Sequence, residues 1–232
     1  MNYGLRPTGD RHDGLAIVQQ MENVIEELLA SEWKVGAVVT DNAGQCGRAR
    51  HILALRYPKI AFVHCFAHDI NNLVKAILKT VFKQISADAA GVASYSNTST
   101  SKWLVRAVKA MDKRYGDNFA IFTLYETRWN SMQACFASLL RARGALKDMV
   151  FSYRNSSELT DTLRVLGATE FWSKLATAEK MIRPLCNASF RVQRDENTVA
   201  DVVVPYLDIY RGLASSELSD SLTALVEARW NI

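Results

Sequence analysis

At 232 residues the chain can bury a sizeable core as one large domain or as a core with an insertion, and 49% hydrophobic against 22% charged residues with only 4 prolines excludes a disordered polymer. The net charge of +4, from 28 Lys+Arg against 24 Asp+Glu, permits contact with a polyanion without demanding it. No run of roughly 18 apolar residues occurs and the opening "MNYGLRPTGDRHDG" is polar, so a membrane span and a secretory signal are not expected and the chain reads as soluble and intracellular.

Leu15, Val18, Met21, Ile25 and Leu28 recur at helical spacing behind Asp13, which predicts an amphipathic helix over 14–31 capped by that acid. "VGAVVT" (35–40) is a short β-branched run of the kind that lies buried on both faces of a parallel sheet. Residues 43–57 are again helical up to Pro58, and "IAFVHC" forms a second strand. Strand, helix and strand with such short connections predict a βαβ unit whose two strands are parallel. Beyond His68 the periodicity stays helical in "INNLVKAILKTVFKQI", "SKWLVRAVKAMDKRY", "NSMQACFASLLRARGAL" and "SELTDTLRVLGATEFWSKLATAEKMIRPLC". The small polar stretch "ASYSNTSTS" (93–101) predicts a loop, and no internal repeat is found.

Three places can carry chemistry. Asp41 follows the first strand directly and so lies at the carboxyl end of the sheet, where ligands bind in open α/β folds. A carboxylate there suits a magnesium ion, but Asp41 or Asn42 can equally cap the following helix. "HCFAH" gives Cys65 and His68 the CxxH spacing of zinc ligands. No second pair closes a four-ligand site, even counting His64 and Cys46, so a hydrogen-bonded structural corner is the preferred account and zinc is not expected. In "ETRWNS", Arg128 and Trp129 suit a phosphate and an unpaired base, while by composition alone Trp129 reads as a core anchor with a salt-bridged neighbour. The four cysteines, Cys46, Cys65, Cys135 and Cys186, contain no CxxC pair and are expected as free thiols.

Taken together, "VVTDNAGQCGRARHILALRYPKIAFVHCFAHDINNLVKAI" and "TRWNS" resemble the core of hAT-type transposases, DNA-cutting enzymes whose RNase H-like fold is interrupted by a helical insertion. The resemblance extends over roughly residues 12–232, since "ADVVVPYLDIY" and "EARW" look like later segments of that family. It implies an α/β fold: an incomplete RNase H-like core over 1–75, and a helical insertion and return segment over 76–232, mostly helical overall. Residue by residue, Asp41 matches the second acid of the family's DDE metal site, Cys65 and His68 its CxxH corner, and Trp129 the tryptophan that supports flanking DNA. Mg2+ or Mn2+ is the implied cofactor, with Asp41 as its ligand.

Other positions depart from the family pattern. Asp10 and Asp13 do not match the first acid, Glu227 does not match the catalytic glutamate, and the family's first three strands, zinc finger and dimerisation segment have no counterpart here. The expectation is therefore a transposase-derived, domesticated nuclear protein that does not cut DNA. It keeps weak, non-specific DNA contacts through Arg48, Arg50, Arg128 and Trp129, and self-associates through an open sheet edge. The alternatives are an active transposase if a longer gene supplies the missing acids, and an unrelated α/β module with a closed apolar pocket near Asp41, Asn42 and His68; cleavage by this chain itself would point to Asp69 or Glu126 as a replacement carboxylate.

Overall fold

The computed structural model describes residues 13–98, 102–124, 131–194, 200–214 and 219–230. Helix α1 (Gly14–Ala30) starts where the Asp13 carboxylate accepts the free amides of Leu15 and Ala16, at 3.0 and 2.9 Å. It ends in a Schellman turn: the Glu32 amide donates to the Leu29 carbonyl and the Trp33 amide to the Leu28 carbonyl, which forces Glu32 to φ 62°. Strand β1 (Ala37–Thr40), helix α2 (Gly44–Arg56) and strand β2 (Ala61–His64) follow, and the strands pair in parallel with Val38 opposite Phe62 and Thr40 opposite His64. This is the βαβ unit that the sequence predicts.

Its burial differs from the expectation. The helix-facing side is covered by a small core of Val18, Ala49 and Leu53 against which Ile17, Met21, Ile52, Tyr57 and Phe62 pack. On the other side Val39 is 59% and Val63 45% exposed, so β1 is not buried on both faces. The β-branched composition satisfies the pleat whether or not a second layer covers it, and among the described residues the sheet has two strands and no second layer on that side.

The remainder is helical: α3 (Phe66–Lys79), α4 (Lys83–Thr98), α5 (Trp103–Tyr115), α6 (Ser131–Ser152), α7 (Asp161–Arg164), α8 (Thr169–Arg191), α9 (Ala200–Ala214) and α10 (Ser219–Trp230). Helix α3 is strongly amphipathic and lays Ile70, Leu73 and Ile77 against α8 and α10, while α6 packs on α4, α5 and α8. Phe136, Leu146, Trp172 and Leu175 are fully buried in this body. Burying each such side chain contributes about 1.5–3 kcal/mol, so the helical body is the main source of stability.

Three boundaries depart from the sequence reading. The expected helix over 70–85 is broken at Thr80, whose backbone leaves helical geometry at φ −111°, ψ −82° and whose hydroxyl donates to the Ala76 carbonyl. Phe82 then turns into the core. The loop expected at 93–101 is helical through Thr98. Ala93 and Ser96 are buried, and the Asn97 amide donates to the carbonyls of Ala93 and Ile121, so small polar residues are satisfied inside the packed layer. The helix expected over 157–186 instead begins as a short turn, α7 with a 3-10 segment (Val165–Gly167), and passes through extended Ala168. The Trp172 indole holds that corner by donating to the Leu166 carbonyl at 2.7 Å.

Candidate functional site

Two side chains of α2 close on the loop that leaves β1. Asp41 stands at the carboxyl end of the strand, and the Cys65 amide donates to the Thr40 carbonyl at 2.6 Å, which brings the start of α3 beside it. The Asp41 carboxylate accepts the Ala43 amide at 3.1 Å, and the Cys46 thiol acts on it electrostatically from the first turn of α2. Ala43 occupies the N-cap position with no side-chain cap bond, so neither Asp41 nor Asn42 is the helix cap; Asp41 folds the turn ahead of it. Arg50 completes the loop, donating through Nη1 to the Thr40 hydroxyl and the Asp41 carbonyl and through Nη2 to Asn42 Oδ1 at 3.1 Å.

The electrostatics follow from these contacts. The Cys46 thiol and the Ala43 amide hold the Asp41 carboxyl below its ordinary value against a small desolvation, with His68 and Arg50 adding electrostatic attraction. Burial, and then the Asp41 carboxylate, push the Cys46 thiol up, so it is a weak nucleophile at neutral pH. The arrangement is an ionised carboxylate surrounded by donors.

That donor set does not fit a two-metal site. Among the described residues no three His, Cys, Asp or Glu side chains converge where they could hold an ion, and the Asp41 carboxylate already accepts the Ala43 amide. Asp69 lies buried in the first turn of α3, and Cys65 takes the N-cap position of α3 with His68 three residues on. The CxxH corner therefore brings His68, and not a second carboxylate, toward Asp41.

Arg48 is not part of this cluster. Its aliphatic stem lies on α1, about 3.0 Å from where a Cβ on Gly14 would stand, whereas Arg50 turns to the Asp41 loop. Two residues on a helix are about 200° apart, so these arginines do not line one groove. Arg128, Trp129 and Glu126 lie outside the described residues. The sequence reading missed Cys46 and Arg50 as partners of this loop; their i, i+4 spacing on the helix after Asp41 was the available signal.

Comparison with protein-family models, with curated proteins and with solved structures finds no match to this chain. No helix of the described residues is long and apolar enough to cross a membrane.

Proposed function

We propose that this chain is a hAT-transposase-like scaffold of RNase H-like ancestry that binds nucleic acid weakly, acts in the nucleus and does not cut DNA. The observation that carries the reading is the placement of Asp41: one ionised carboxylate at the carboxyl end of a parallel strand, facing His68 of the next strand's CxxH corner.

The loss of cutting follows from charge. Metal-assisted attack on a phosphodiester requires carboxylates that hold two ions on either side of the phosphate, and Asp41 is the single acid of this chain that matches the set. DNA contact comes instead from cations meeting phosphates, with Arg48 and Arg128 as the candidates and Trp129 as a stacking surface. Arg50 contributes less, because its guanidinium is committed to Thr40, Asp41 and Asn42.

Fluorescence anisotropy of labelled duplexes across a salt series tests the binding half. About three phosphate contacts give a log–log slope of about −3, with little difference between unrelated sequences. Salt-independent binding, or a strong preference for one sequence, contradicts the proposal.

A further inference from the structure

A cleft of about 610 Å³ opens between α3, α4, Leu124 and the start of α6, and Asp41 is not among the residues that line it. Its size is that of a small-molecule site. Val74, Leu78 and Met132 supply apolar walls, and Lys75, Lys79 and Lys83 stand at its rim. None of the three lysines is in an ion pair among the described residues, so three ammonium charges stand together along one cleft.

The second observation lies deeper. Asn71 is 7% exposed, reaches the cleft wall, and its carboxamide has no hydrogen-bond partner among the described residues. Its polar atoms are not sealed from solvent, so the carboxamide presents a donor and an acceptor to the cleft. Across the cleft, Gln133 donates its amide to Glu179 Oε1 at 3.0 Å, which leaves its own oxygen as an acceptor with no donor among the described residues. Asn71, Lys75 and Lys79 follow one another at i, i+4 and i+8 on α3, so an uncharged carboxamide and two ammonium groups form one row along the cleft.

We propose that this cleft binds a nucleoside monophosphate. The row of lysines matches a phosphate dianion better than a single carboxylate, and lysine binds phosphate as a point charge. The apolar walls take the face of a planar base. A carboxamide offers a donor and an acceptor side by side, the pattern that pairs with the N6/N7 edge of adenine, whereas an acyl chain would leave Asn71 and Gln133 unsatisfied. The site stands independently of the DNA reading, because it takes a free ligand and uses none of the residues assigned there.

Isothermal calorimetry of the full chain with adenosine 5′-monophosphate, adenosine, inorganic phosphate and a short single strand tests it. The monophosphate should bind in the micromolar range, with adenosine and phosphate each at least about ten-fold weaker, since each lacks one set of contacts. Asn71→Leu, which keeps the volume and removes the carboxamide facing the cleft, should weaken nucleotide binding about ten-fold without lowering the melting temperature. The pair Lys75→Gln and Lys79→Gln, both on the exposed rim, should weaken it at least as much and flatten its salt dependence, while Lys109→Gln on α5 should not. Nucleotide affinity unchanged by Asn71→Leu overturns the proposal. So does phosphate binding as tightly as the nucleotide, or a strand that binds where the mononucleotide does not.

Discussion

Asp41 illustrates what a single position discloses. Its place after a buried-looking strand was legible because a β-branched run followed by an acid has few other readings. Its partners were not, since Cys46 and Arg50 reach it only through the phase of α2 and the angle at which that helix leaves the sheet. The depressed Asp41 pKa gives a signed prediction. A carboxyl whose folded value lies below its unfolded value adds stability above the unfolded pKa, and this is lost as pH falls through the folded value. Cys46→Ala removes the leading cause, so NMR titration should show the Asp41 carboxyl rising toward its ordinary value and the acid limb of the stability curve shifting up with it. A second residue-scale prediction concerns Glu32, held at φ 62° in the Schellman turn after α1. Glu32→Gly should raise stability by about 1 kcal/mol in urea denaturation, since glycine adopts that region without Cβ strain.

At the scale of elements, the periodic helices were legible and their breaks were not. Asp13 marked the start of α1 through a local hydrogen bond that any context preserves. The end of α4 depended on Ile121, a residue 24 positions away whose carbonyl accepts from Asn97, and no local pattern contains that. Two helical glycines separate propensity from packing. A Cβ on Gly91 in α4 would meet only the Thr162 methyl at an ordinary 3.5 Å, so Gly91→Ala should stabilise by about 0.5–1 kcal/mol. A Cβ on Gly144 in α6 would fall 2.8 Å from the Tyr115 hydroxyl and on top of the Arg114 guanidinium, which pairs with Asp148. Gly144→Ala should therefore gain nothing or lose stability despite the same propensity term. Equal gains in thermal denaturation would show that the α5–α6 contact is looser than described.

Across the whole molecule, apolar burial is uneven. The helical body joins residues from Ile70 to Val226 in one core, whereas the βαβ unit rests on the small cluster around Val18, Ala49 and Leu53. Amide exchange should therefore be fastest to appear in α1, α2 and the two strands and slowest in α6 and α8, because local opening follows local burial. The uncovered sheet face exposes Val39 beside Val63, so sedimentation should show concentration-dependent self-association that Val63→Lys reduces. How many layers cover a strand is decided by distant chain, which is why the sequence overestimated the burial of β1. The proposed function rests on Asp41 being the one acid kept from a three-acid site. Incubating the purified chain with nicked or hairpin DNA and magnesium or manganese tests it most directly: the account predicts intact strands for the chain and for Asp41→Ala alike, and strand cleavage that Asp41→Ala abolishes would contradict it.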